Sequence, residues 1–159
     1  MKVLSLLVVV ALLSGAMAGE APAAPLELLT AKEAAEPNLP ISKAGQPGGL
    51  HGFYSEKLVP GAPQIIVEKP EQGAGVATPF PVKIRFIPSG GAKINLDSLE
   101  IDVLKLIKIS LLSRVKPYVS EKGINVPEAK VPPGTYNIRI TVADDQGRLG
   151  SATRTWLVR

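Results

Sequence analysis

The sequence predicts an all-β domain, a sandwich of about seven antiparallel strands between Pro63 and Arg159, behind an export leader and a largely irregular segment. Three observations predict it. Apolar and polar residues alternate in several runs, most cleanly in Phe80 to Pro88, where Val82, Ile84 and Phe86 share one face and Lys83, Arg85 and Ile87 the other. Turn-forming residues separate these runs at roughly eight-to-twelve-residue intervals, the spacing of a sandwich. Fifteen Pro and fifteen Gly in a chain of 159 residues leave little length for helices.

Residues 1–18 read as a secretory signal peptide. Met1-Lys2 is a positive start, Val3 to Leu13 an unbroken apolar run, and Ala16-Met17-Ala18 the small-x-small pattern of a cleavage site. The run is shorter than the roughly twenty residues that span a bilayer as a helix. The expected mature chain begins near Gly19 and is exported, periplasmic or extracellular. The sequence contains no cysteine. Disulfides, thiolate metal sites, a Cys nucleophile and an acylated lipoprotein anchor are therefore excluded.

Residues 19–62 are rich in Ala, Pro, Glu and Gly. Prolines at 22, 25, 37, 40, 47 and 60 each remove a backbone donor and disfavour helix in the residue before them. Only Leu26 to Glu36 has a helical composition, and isolated helices that short are marginal in water. The expectation is a flexible spacer. Leu50, Phe53 and Tyr54 form a small apolar cluster beside His51, the chain's single histidine, which lacks the companion ligands of a metal site.

The strands follow from Pro63. Gln64 to Lys69 is a short β-branched run ended by Pro70, and Phe80 to Ile87 follows it. In "SLEIDVLK", Leu99, Ile101 and Val103 should face inward, with Glu100 and Asp102 outward. Ile107 to Leu111 is assigned as a strand, with Ser113 capping one turn over "RVKPY", and Ile124 to Val126 as another short strand. In the final hairpin Tyr136, Ile138, Ile140 and Val142 alternate with Asn137, Arg139 and Thr141, "ADDQGR" makes the turn, and Ser151 to Val158 returns. Trp156 belongs inside on that return strand. Arg154 shares its face, so a bulge, a strand end or an arginine lying across the sheet rim must accommodate it.

"PPGTYNIRITVADDQGRLGSATRTWLV" resembles the last hairpin of bacterial immunoglobulin-like and fibronectin type III-like modules: a Pro-Gly bend, a Tyr-bearing strand, a turn rich in Asp and Gly, and a Thr-rich final strand. "PQIIVEKPEQGAGVATPFPVKIRF" is similar to their first two strands. The resemblance covers residues 63–159 and implies an immunoglobulin-like sandwich without its inter-sheet disulfide, with Tyr136 as the tyrosine corner.

Candidate chemistry is sparse. No serine stands in a Gly-x-Ser-x-Gly elbow, and the only histidine lies in the spacer, which disfavours triad catalysis. "GAGVATP" lacks the Lys and Ser/Thr of a phosphate loop. The net charge of +4 comes from Lys and Arg interleaved with apolar residues, the pattern of solvated strand faces and not of a nucleic-acid stripe. Paired carboxylates for glycoside hydrolysis would need a cleft walled by more aromatic residues than are present. Asp144 and Asp145 share a turn, and Asp97, Glu100 and Asp102 lie along another loop and strand. Calcium needs six to eight oxygen ligands, whereas Asp-Asp-Gln-Gly is also what a tight hairpin requires, Asp bonding its own backbone and Gly147 taking a positive φ. The bend is the preferred reading and a metal site at Asp144 and Asp145 the alternative. The expected function is non-enzymatic and needs no cofactor: a binding or structural module acting through loops or sheet edges on a protein or cell-envelope polymer. An accessory carbohydrate- or calcium-binding module is the alternative.

Overall fold

The computed structural model describes residues 24–39 and 59–159. The leader at 1–18 and the His51, Leu50, Phe53 and Tyr54 cluster lie outside the described residues. The expected all-β class is present as two packed sheets. Six strands carry them: β2 (Gln64–Lys69), β4 (Phe80–Ile87), β5 (Ile94–Leu104), β8 (Gly123–Lys130), β9 (Gly134–Asp144) and β10 (Leu149–Val158). Four short strands trim the edges: β1 (Leu26–Glu27), β3 (Gly75–Val76), β6 (Lys108–Ser110) and β7 (Val119–Ser120). One sheet runs β1-β8-β4-β2, with β7 also on β8; the other runs β3-β10-β9-β5-β6. The long strands pair antiparallel, but β1 lies parallel to β8 and β3 parallel to β10, a departure from the uniformly antiparallel expectation.

The period-two pattern decides which side chains fill the space between the sheets. Val82, Ile84 and Phe86 of β4 and Ile138, Ile140 and Val142 of β9 are buried, while Lys83 and Arg85 are exposed. Apolar burial of this kind contributes roughly 25 cal/mol per Å² and is the dominant favourable force on the fold. Leu99, Ile101 and Val103 point inward as expected. Asp102 departs from expectation: its carboxylate lies on the outer face yet is buried, because Lys108 and Arg139 from the flanking strands close over it.

Residues 24–39 correct the spacer reading. They form a strap comprising β1 and helix α1 (Ala31–Ala35), and Leu28 and Leu29 are each only 1% exposed in the common core. The Leu28 amide donates to Lys130 O at 2.9 Å, and Arg114 bonds both Leu28 O and the Glu33 carboxylate. A five-residue helix unstable alone is stabilised by a Thr30–Glu33 capping box and by this docking. Two smaller corrections concern the middle of the chain. The helical turn α2 spans Leu112–Val115 with Leu111 before it, so Ser113 lies inside the helix and caps nothing. The strand expected at Ile124 to Val126 extends over eight residues as β8.

Candidate functional site

The acidic hairpin is built around Asp144, which is 1% exposed. Its Oδ1 accepts from the amides of Gln146 at 3.0 Å and Arg148 at 2.9 Å, and its Oδ2 from Arg148 Nε at 2.7 Å. Gly147 closes the turn at φ +74°, donating to Asp144 O at 3.0 Å. Arg148 also donates to Ser89 O at 3.2 Å, tying the hairpin to the loop before β5. Burial pushes the Asp144 carboxyl up, but the Arg148 and Gln146 donors outweigh it and hold the pKa below the usual carboxylate value. Both oxygens are thus committed to N–H donors. Asp145 points to solvent, and its amide donates to Lys93 O at 2.9 Å. Among the described residues no three Asp, Glu or His side chains gather at metal-ligating distances. The geometry of Asp144, Asp145 and Gly147 is that of a bend locked by an Asx-type turn.

Tyr136 and Trp156 sit opposite each other on β9 and β10, both facing the core. The Tyr136 hydroxyl donates back to Pro132 O at 2.8 Å, across the Pro-Pro-Gly bend. Gly134 has φ +155°, which strains an L side chain, and a Cβ there would stand a tight 3.0 Å from that hydroxyl, so the bend favours glycine. Trp156 packs edge-on against Phe80 of the opposite sheet, with ring centroids 5.8 Å apart. Arg154 shares the Trp156 face, as its alternation demands, and is half-buried, with its guanidinium donating to Thr153 O at 2.8 Å. It is tolerated there because β3 reaches β10 only at Leu157 and Val158, leaving the Arg154 stretch at the sheet rim.

The features that sequence reasoning missed lie beside Tyr136, where the strap meets the β5–β6 hairpin. Lys105, at the hairpin tip, is 3% exposed; its ammonium donates to Ala34 O at 3.0 Å and lies 5.0 Å from the Tyr136 ring centroid. Burial pulls its pKa below the ordinary lysine value, against the opposing pull of Glu36. Glu33 is paired with Arg114 at 2.6 Å, which lowers its pKa to about 2. Leu39 donates to Leu104 O and Leu106 to Pro37 O, so the end of the strap bridges antiparallel to the hairpin tip, while Asn38 donates to Thr135 O of β9. On β6, Lys108 lies 3.1 Å from Asp102 and 3.3 Å from Glu100, and these carboxylates, Asp102 first, raise its pKa. Next to the buried Lys105 the tip exposes Leu106 and Ile107 at 64% and 63%. A groove of about 460 Å³ separates Lys32 and Glu33 of α1, and Glu36 just after it, from β6. One sequence signal for the strap was available: Thr30-x-x-Glu33 is a helix-start signature.

Comparison of the chain with protein-family models, with curated proteins and with solved structures finds no match. Among the described residues no helix is long and apolar enough to cross a membrane.

Proposed function

We propose that the chain is an exported, non-enzymatic binding or structural module of the immunoglobulin-like class. It acts through loops or sheet edges on a protein or polymer of the cell envelope or extracellular space. The observation that carries this reading is the pair of large aliphatic side chains, Leu106 and Ile107, held out to solvent on a hairpin whose base is fixed by ion pairs and by the strap. A rigid frame presenting an apolar tip is suited to recognition. The class is supported by strand order. β2, β4 and β8 form one sheet and β5, β9 and β10 the other, matching strands A, B, E and C, F, G of the immunoglobulin pattern; β1 takes the fourth place beside β8, in parallel orientation. The tyrosine corner supports it further. Export rests on the leader pattern of residues 1–18.

The test is expression of the full chain in a bacterial host, with fractionation, mass measurement of the mature N-terminus and a photo-crosslinker at Leu106. The expected result is a chain beginning near Gly19 outside the cytoplasm that forms a discrete adduct from Leu106 and none from a control crosslinker at Asn125, on the outer face of β8. A cytoplasmic chain retaining Met1, or equal adducts from both positions, overturns the reading.

A further inference from the structure

Among the described residues the five-stranded sheet ends at β6, and the register of that strand decides which backbone groups it offers. Asp102, Val103 and Leu104 of β5 face Ser110, Ile109 and Lys108 respectively, and the Leu111 amide donates to Ile101 O at 2.7 Å. Hydrogen-bonded and non-hydrogen-bonded pairs alternate along an antiparallel ladder. Val103–Ile109 is therefore a bonded pair, and the N–H and C=O groups of Lys108 and Ser110 point away from β5, toward the open side of the sheet. Three of the other edge strands are poorer templates. β1 and β3 are two residues long, and β2 breaks register between Val67 and Lys69. An edge lysine often guards against strand addition, but the Lys108 ammonium is drawn onto the outer face by Asp102 and Glu100.

The groove of about 460 Å³ runs along this edge. Its far wall is α1, held in place by Arg114 after β6 and Lys105 before it. A wall standing beside the edge obstructs a second folded copy of the domain but leaves room for a single extended segment. Ile107 offers that segment an apolar contact, and partly buried Ile109 lies at the core side. On the wall, Glu33 is ion-paired with Arg114 and Glu36 interacts electrostatically with the buried Lys105, while the exposed Lys32 ammonium is a positive charge available to an occupant.

We propose that the β6 edge and the α1 wall form a strand-addition groove for an extended peptide of a partner protein, with apolar residues alternating with acidic ones. The peptide pairs through the Lys108 and Ser110 backbone, sets an apolar side chain against Ile107 and an acidic one toward Lys32. This rests on the proposed binding function and names its site and partner class.

The probe is an acetylated, amidated Val-Asp-Val-Asp-Val peptide titrated into the folded, isotope-labelled protein, followed by amide resonances. The expected result is saturable shifts centred on Lys108 and Ser110 with Kd below about 1 mM, and at least a roughly tenfold loss when alternate probe amides are N-methylated, because strand addition uses the probe's own backbone. Ser110→Pro, which removes an outward N–H and no bond to β5, should weaken binding similarly. Absence of saturable shifts, or equal binding by the methylated probe, overturns the proposal. An unmethylated probe that binds Ser110→Pro as well as the unchanged protein overturns it also. If the Leu106 photo-adduct persists in Ser110→Pro, the general binding reading stands and the edge proposal alone falls.

Discussion

Replacing Leu28 by alanine tests whether the strap is part of the core or an ornament on it. Leu28 and its neighbour Leu29 are each 1% exposed and belong to the same apolar cluster as Val126 and Tyr136. Truncating a buried leucine costs about 2–5 kcal/mol, the transfer free energy of the lost groups plus a cavity term. The cost here has a ceiling. Once it exceeds the net free energy of docking residues 24–39, the strap leaves the sandwich and further truncation adds nothing. Leu28→Ala should therefore lower stability by about 2–3 kcal/mol in urea titration, and Leu28→Ala with Leu29→Ala should fall short of the sum of the single changes. Trypsin cleavage after Lys32 should accelerate in parallel, since undocking exposes the α1 backbone. A loss below about 0.5 kcal/mol, the level of a surface substitution, with unchanged cleavage at Lys32, would refute the argument that the strap completes the core.

Three further outcomes follow from the same geometry. Tyr136→Phe removes the hydroxyl that donates to Pro132 O and should cost about 1–2 kcal/mol without altering the fold, read by urea titration and circular dichroism. The pKa of Lys105 is depressed in the folded state, so between that lowered value and 10.5 the unfolded chain binds more protons and stability rises with pH. Tyr136 has a raised pKa and opposes this above pH 10, so the difference between the unchanged protein and Lys105→Met, measured below pH 10, should isolate the rise; a parallel pair of curves would sink the assignment. Asp145→Ala should leave the thermal midpoint within about 2 °C, whereas Asp144→Ala should lower it by roughly 5 °C or more. The midpoint of the unchanged protein should not respond to calcium or chelator, because the Asp144 oxygens are engaged by Gln146 and Arg148; a calcium-dependent rise that both variants lose would revive the metal site.

The fold class and the acidic hairpin were legible because their causes are local. Alternation in Phe80 to Ile87 and in Tyr136 to Val142 can be read within one strand, and the turn at Asp144 to Gly147 is closed by bonds spanning four residues or fewer. The Tyr136 hydroxyl bond to Pro132 was also local, its acceptor four residues away. The boundary of the domain was not. Proline spacing in residues 19–62 argues against self-supported structure, and that inference holds for an isolated segment, but Leu28 and Leu29 are ordered by residues about a hundred positions along the chain.

Side-chain period and turn chemistry act through neighbours one to four residues apart, so the linear chain already specifies strands, their inward faces and the bend between the last two. Burial of a charge and exposure of an edge have no such local cause. Asp102 is covered because Arg139 and Lys108 arrive from two other strands, Lys105 is desolvated because the strap folds over it, and the β6 edge faces α1 across a groove because the strap docks there. Those outcomes depend on which distant segments share a volume, and the assembled sandwich decides them.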